Sequence, residues 1–275
     1  VLAERGGSAK ALASKLEASG AKIVSVNDKV GMVTVTSTDT AFAAKARAMK
    51  GVFGAAEEGI VGRAPQDRVK KSDTERPRAQ AKAEGMRSSA AGKGNGKKGA
   101  DPLDDKLWGM DMIRAAEAQK ITAGDKRVKV GVIDTGVDAR HPDIAPNFDH
   151  KLSRNFTTDI PDIDGPCEVE SCVDPADVDN GGHGTHVAGT IAAAKNGIGV
   201  SGVAPDVSIV NVRAGQDAGY FFVGPTVNAL TYSADAGLDV VNMSFYVDPW
   251  AYYCQGGAPE DSPEEAAEQD MVIES

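Results

Sequence analysis

Apolar residues follow two different periods within residues 1–66. In "GSAKALASKLEASG", Leu12 and Leu16 stand four positions apart, which places both on one face of a helix. The runs "AKIVSVND" and "VGMVTVTST" are rich in β-branched residues, and the second alternates apolar and polar positions as a strand does. A second helix is predicted in "DTAFAAKARAMKGV", with Asp39 as its N-cap and Gly51 as its stop. The order helix, strand, strand, helix predicts a small α+β domain.

Residues 101–275 show a different pattern, in which apolar runs without alternation are separated by helix-like segments. The apolar runs are "RVKVGVIDTGVD", "SIVNVRAG" and "LDVVNMSF", and the helical segments are "HVAGTIAAA" and "PTVNALTYSADAG". Strands that alternate with helices at this spacing predict parallel βαβ units, and continuous apolarity predicts burial on both faces of the sheet. In such α/β domains the functional residues collect beyond the carboxyl ends of the strands.

Residues 67–100 separate the two domains and have almost no large apolar side chains. They contain ten Lys and Arg against four Asp and Glu, with Gly and Lys repeats at the end. Such a segment buries too little surface to offset the entropy of ordering it, so a flexible linker is predicted. The alternative, a basic arm for nucleic acid, is disfavoured by the net charge of −10 for the whole chain.

Charge, hydropathy and cysteine content restrict the classes of protein further. The acidic net charge argues against nucleic acid as a partner, and no run of about 18 apolar residues predicts a membrane span. The chain starts at Val1, not Met, so the absence of a signal peptide says nothing about secretion; we expect a secreted protein whose signal peptide is lost with the truncated N-terminus. Cys167 and Cys172 are close enough to form a local disulfide, which fits an oxidising compartment and leaves Cys254 over; the alternative is that Cys167 and Cys172 are two unpaired surface thiols.

Asp134 closes the apolar strand "KVGVID" and needs a partner, because a buried carboxylate without one is costly. It could bind the ribose of a dinucleotide, but the required G-x-G-x-x-G turn is absent. The other interpretation pairs Asp134 with His183 in "DNGGHGTHVAG", where the acid would fix the tautomer of a histidine base. His186, one helical turn further, is predicted to pack against the core. A metal site made by the two histidines and Asp134 is disfavoured, because two-His metal motifs on helices use i, i+4 spacing.

Four segments resemble signature segments of the subtilisin-like serine proteases, in the order of that family. They are "VKVGVIDTGVDARHPDI", "GGHGTHVAGTIAA", "GIGVSGVAP" and "DVVNMSF". The resemblance implies a parallel-sheet α/β catalytic domain of the subtilisin type, truncated, preceded by a small α+β propeptide domain. It implies that residues 1–66 inhibit their own catalytic domain, with their first strand lost at Val1, and that residues 101–275 hold the first part of that domain.

The resemblance also implies roles for individual residues. Asp134 would orient the general base His183, the family's order being Asp, His, then Ser. Peptide or protein substrates would pair with two backbone edges: Asn242, Ser244, Gly219 and Tyr220. The family's nucleophile lies in a G-T-S-x-A-like segment that does not occur before Ser275, so this chain is expected to be an inactive part of a serine endopeptidase. The alternatives are a non-catalytic pseudoenzyme or propeptide-type inhibitor and, on βαβ pattern alone, a nicotinamide-dependent enzyme.

A structural calcium site is implied by the same resemblance, and no organic cofactor is. Hard oxygen ligands suit calcium. The ligands would be the Asp143 carboxylate, the Asn196 side chain and the carbonyl groups of Ala194, Ile198 and Val200. The alternative is a tight glycine turn without an ion. The acidic stretch between Ile144 and Gly182 is longer than in most of the family, and forms either a rim loop of the substrate cleft or a surface excursion.

Overall fold

The structure is a computed structural model that describes residues 1–65, 100–160, 163, 173–246, 262–263, 266–267 and 270–271. Apart from Ala100, the predicted linker lies outside the described residues, and so do Cys167, Cys172 and Cys254. Two compact units are present: Val1–Arg63 with Phe221–Tyr232 and Met271, and Ala64–Tyr220 with Ser233–Tyr246. The boundaries predicted from composition stay predictions.

The first unit contains a four-stranded antiparallel sheet with two helices. Its elements are β1 (Leu2–Ala3), α1 (Ala9–Ala18), β2 (Lys22–Asn27), β3 (Met32–Thr36), α2 (Phe42–Arg47), β4 (Val52–Gly54) and β5 (Ile60–Arg63). The sheet order is β2-β3-β1-β4. Leu12 and Leu16 of α1 are buried in a core with Val33 and Phe42, which confirms the predicted helix face. This core makes the small α+β domain expected from the pattern.

Two expectations for this unit were wrong in detail. The first strand is present, since Leu2 of β1 pairs with both Met32 and Gly54. The pattern missed it because two residues are too short to show a period. The N-cap of α2 is Ala41, not Asp39. Asp39 lies two residues earlier, where its carboxylate accepts the Ala41 N–H at 3.1 Å.

Most of a long helix, as far as Tyr232, belongs to this first unit although it is remote in sequence. Helix α6, Val223–Asp235, follows strand β9, Tyr220–Phe222, which forms a two-stranded sheet with β5. Val61 is buried in an apolar cluster with Val223 and Val227. The side-chain amide of Asn27 donates to Thr231 Oγ1 at 2.8 Å. The first unit is therefore built from stretches of chain that lie far apart in sequence.

The second unit contains a parallel sheet in the order β10-β6-β8-β7. Its elements are a short 3₁₀ helix (Asp104–Lys106), α3 (Trp108–Met112), α4 (Ala115–Gln119), β6 (Lys129–Ile133), β7 (Arg154–Asn155), α5 (His183–Ala192), β8 (Ser208–Arg213) and β10 (Val240–Met243). The three predicted apolar strands are confirmed as neighbours, with Val130 opposite both Ile209 and Val240. The carboxyl ends of these strands lie at one edge of the sheet. None of the described helices is long and apolar enough to cross a membrane.

Candidate active site

A buried acid and a histidine meet at the carboxyl end of β6. Asp134 follows this strand with no exposed surface, and its Oδ1 lies 2.7 Å from Nδ1 of His183. The Thr135 N–H donates to the same oxygen at 2.7 Å. Within the described part of the chain, Asp134 Oδ2 has no hydrogen-bond partner. The hydrogen bond to His183 is therefore the main side-chain contact of a carboxylate that is shielded from water.

The hydrogen bond to Asp134 determines which nitrogen of the neutral His183 ring carries the proton. Because a carboxylate is only an acceptor, the neutral His183 ring must donate from Nδ1, and its lone pair then lies on Nε2. The His183 side chain is 21% exposed, so the ring is partly buried but still accessible to solvent. An oriented imidazole with a lone pair on its outer nitrogen is suited to act as a general base. The geometry matches the pairing predicted from the sequence.

Asp179 holds the first turn of α5 in place, a role that sequence reasoning missed. Its carboxylate accepts the N–H groups of Gly182 at 2.9 Å and Thr185 at 2.8 Å, and the Thr135 hydroxyl at 3.1 Å. Burial raises the pKa of Asp179, while these hydrogen bonds act in the opposite direction. A carboxylate at a helix N-terminus satisfies N–H groups that have no partner within the helix. The available signal was an acidic residue just before the first turn of a predicted helix.

His186 does not pack against the core as predicted. Its side chain is exposed, and it lines a cavity of about 340 Å³ together with His141. The buried face of α5 is instead made by Gly184, Ala188 and Ala192. A histidine three residues after His183 projects away from that face. Among the described residues, no group of three His, Cys, Asp or Glu side chains could hold a metal ion.

The two predicted substrate edges lie on different strands. Asn242 belongs to β10 at the edge of the described sheet, and its amide donates to Ser244 Oγ at 2.9 Å. Gly219 has a φ of +81° and closes a turn just before Tyr220, the first residue of β9. The Gly219 carbonyl accepts the Ala64 N–H at 2.7 Å. The backbone of Gly219 thus already pairs with another segment of the chain.

The predicted calcium ligands surround the buried side chain of Asp143. One carboxylate oxygen lies 3.4 Å from Asn196 Nδ2 and the other 3.4 Å from the Val200 N–H, while the Ala194 N–H donates to the Asp143 carbonyl at 2.7 Å. The Ile198 N–H donates to Asn196 Oδ1 at 3.1 Å. In this arrangement the groups nearest the Asp143 carboxylate are N–H donors, and the calcium site stays a prediction.

Two acidic residues that were not among the predicted ligands hold the loop around Asn196 by hydrogen bonds. Asp101 accepts the Gly197 N–H at 2.7 Å, and Asp104 accepts the Ser201 N–H at 2.7 Å. They stand at the start of the domain predicted from residue 101 onward, where the sequence analysis assigned them no role. Their hydrogen bonds join the start of the second unit to the loop around Asn196.

Comparison with known proteins shows the family of the chain. Residues 125–268, just over half of the chain, match the Subtilase family (Peptidase_S8). The chain belongs to the subtilase family. Subtilases are serine peptidases, and membership confirms the resemblance seen in the sequence.

Several characterised subtilases are similar to the chain over about half its length. It is 36% identical to "Intracellular serine protease" of Paenibacillus polymyxa over 156 residues, which are 57% of the chain and 40% of that protein. It is 35% identical to "Subtilisin DY" of Bacillus licheniformis over 137 residues, which are 50% of the chain and 43% of that protein. The chain therefore spans about two fifths of the length of these relatives.

The fold is shared with a solved subtilase structure. The crystal structure of fervidolysin from Fervidobacterium pennivorans, described as a keratinolytic enzyme related to subtilisin, aligns with a TM-score of 0.55 and 21% identity. The alignment covers 96% of this chain and 37% of fervidolysin. It confirms the α/β subtilisin-like fold class.

Proposed function

We propose that this chain is part of a serine endopeptidase in which Asp134 orients His183 as general base. The observation that carries the proposal is the 2.7 Å contact between Asp134 Oδ1 and His183 Nδ1 at the carboxyl end of a parallel strand. Two further facts support it: the acid is fully buried, and the imidazole is partly exposed. Membership of the subtilase family adds the class of reaction.

In the proposed mechanism, Nε2 of His183 removes the proton from a serine hydroxyl as that oxygen attacks the peptide carbonyl. The carboxylate of Asp134 stabilises the imidazolium ion that forms. His183 then donates this proton to the leaving amine, and an acyl-serine remains. In the second half of the reaction His183 takes a proton from water as the water oxygen attacks the acyl carbon, and gives that proton to the departing serine oxygen. We place the serine outside these 275 residues, so the chain by itself is proposed to be inactive. Ser244 is proposed to bind substrate, as the resemblance to the family implies for the strand end that carries it.

The proposed substrate is an extended stretch of polypeptide that adds a strand between two backbone edges. One edge is Asn242–Ser244 and the other is Gly219–Tyr220. Addition of a strand to a sheet edge gives affinity through main-chain hydrogen bonds and does not depend on one side chain. The hydrogen bond from Ala64 to the Gly219 carbonyl supports this use of the second edge.

A second proposal concerns residues 1–66, which we propose act as an inhibitory propeptide. Strand β5 pairs with β9, and the N–H of Ala64, just after β5, donates to the Gly219 carbonyl, just before β9. This observation also favours the alternative that the chain works as a non-catalytic inhibitor of another protease. Residues 1–66 added to a related active subtilase should slow it at micromolar concentration, and undiminished hydrolysis would remove both ideas.

Calcium binding, the Cys167–Cys172 disulfide and secretion stay predictions. Among the relatives, "Major intracellular serine protease" of Bacillus subtilis is 35% identical over 157 residues, and its name places it inside the cell. Fractionation of cells that express the natural gene decides the location.

The peptidase proposal is tested by expressing the longest natural reading frame that contains this chain. We expect it to hydrolyse an unfolded protein such as casein, and to lose that activity when an organophosphorus reagent labels one serine. Hydrolysis that resists the reagent would contradict a serine mechanism. A frame that ends at Ser275 and hydrolyses nothing would favour the inhibitor.

A further inference from the structure

Arg213 is the largest fully buried side chain of the described residues, and the mechanism above does not use it. It is the last residue of β8, whose neighbour β6 leads to Asp134. A guanidinium group cannot lose its charge in a protein, so burial requires hydrogen-bond acceptors around it. The sequence signal was a single Arg that closes the apolar run "SIVNVRAG".

The guanidinium group of Arg213 donates to three acceptors. Nη1 donates to Asp174 Oδ2 at 2.8 Å, Nη2 to Asp217 Oδ1 at 2.5 Å, and Nε to the Gly215 carbonyl at 3.2 Å. Both carboxylates are buried or nearly so, with 7% and 14% of their side chains exposed. Only a planar group with several fixed donors can reach all three at once, because the ammonium of a lysine is a single point charge.

Two of these acceptors belong to the turn that carries the proposed substrate edge. Within it, the Gln216 N–H donates to the Tyr220 carbonyl at 2.9 Å, and the Gly219 N–H donates to the Gln216 carbonyl at 2.8 Å. Asp217 lies inside this turn, and Gly215 begins it. Arg213 therefore fixes the turn at the side away from Gly219, whose carbonyl accepts Ala64.

The third acceptor belongs to the loop that leads to the histidine. Asp174 also accepts from the side-chain amide of Asn180 at 3.1 Å, shortly before His183. On the other side of the loop, a Cβ atom on Gly181 would lie 3.2 Å from the Asp217 carbonyl. The turn and the loop are thus in close contact, and Arg213 joins them by hydrogen bonds.

We propose that Arg213 is a positioning residue that holds the Gly215–Tyr220 turn so that the Gly219 carbonyl can pair with an extended peptide. The inference rests on the proposed function, since it assigns the turn to substrate binding. Stability alone is a poor reason for such a residue, because replacing a buried ion cluster by apolar side chains is often neutral or stabilising. Through its hydrogen bond to Asp174, Arg213 also holds the Gly215–Tyr220 turn in a fixed position relative to the loop before His183.

Amide exchange of the whole 275-residue chain, followed residue by residue by NMR, tests the proposal without needing catalysis. The Ala64 N–H stands in for a substrate. In Arg213→Lys we expect Ala64 and Gly219 to exchange about tenfold faster or more, as the loss of a hydrogen bond to a charged group implies. Amides of the β6–β8 ladder should exchange at the wild-type rate. Adding Asp217→Glu lengthens the acid and should restore most of the protection.

The matched control is Arg127→Lys, which alters an exposed arginine that donates two side-chain hydrogen bonds to Asp125. It should leave Ala64 and Gly219 unchanged. Unchanged exchange at Ala64 in Arg213→Lys would overturn the proposal, and so would an equal acceleration of all amides including the ladder. If Arg213→Lys does not fold, Asp217→Asn is measured with the same expectations. A protein that hydrolyses nothing would refute the proposed function but leave this result standing.

Discussion

A Cβ atom on Gly184 would lie 2.1 Å from the carbonyl oxygen of Gly136 and 3.0 Å from the Cβ of Asp134. The first turn of α5 therefore rests directly on the backbone that follows β6. Because Gly184 has no side chain, the helix approaches this backbone closely enough for His183 to form a hydrogen bond with Asp134. The glycine at position 184 is a requirement of the site, and not only a residue of the helix.

Gly184→Ala should separate the acid from the base. The methyl group has only backbone in front of it, so we expect a loss of about 1–3 kcal/mol in the free energy of unfolding, as for other overpacked sites. Urea unfolding of the chain measures this loss. The control is Gly189→Ala in the same helix, where nothing lies within 4 Å of a Cβ atom. Alanine there should be neutral or stabilising, and equal effects of the two substitutions would contradict the close contact.

Asp179→Ala should destabilise the first turn of α5. Removal of the carboxylate leaves the Gly182 and Thr185 N–H groups without their acceptor, and loss of a hydrogen bond to a charged group costs about 1.5–3 kcal/mol. Asp179→Asn keeps one acceptor oxygen and should cost less. Urea unfolding compares the three proteins. If both variants unfold like the wild type, the carboxylate does not act as the cap.

Calcium should raise the melting temperature of the chain through Asp143 and its neighbouring loop. An ion that binds only the folded state stabilises it in proportion to the logarithm of its concentration, by about 2.7 kcal/mol at 100 times the dissociation constant. Calorimetry with added calcium and then with a chelator measures the shift. Asp143→Asn should abolish it, while Asp125→Asn, at a partly exposed position outside the predicted site, should not. A melting temperature that does not change when calcium is added or removed would contradict the predicted calcium site.

The sequence allowed prediction of those features that depend on local pattern. Continuous apolar runs predicted β6, β8 and β10, because strands buried on both faces need no alternation. The pairing of Asp134 with His183 was predictable because a buried acid needs a partner and the resemblance supplied one. The structure contains the three strands and places His183 Nδ1 2.7 Å from Asp134 Oδ1, while the roles of acid and base stay predictions.

Features that depend on contacts distant in sequence were not predictable in this way. The orientation of His186 depends on which face of α5 meets the sheet, and that face is made of small residues which give a weak amphipathic signal. Arg213 meets Asp174 from 39 positions away, so the sequence showed an unusual residue but not its partners. Strand β1 is too short to show a period.

Replacement of the two histidines of α5 tests the central claim most directly. In the longest natural reading frame, His183→Ala should lower kcat/KM by about 10⁴ or more, because the acid, base and nucleophile act as a unit. His186→Ala lies one turn further on the same helix at an exposed position, and should keep nearly full activity. Both variants should melt close to the wild type. A His183→Ala protein that still hydrolyses peptides like the wild type would contradict the assignment of the base.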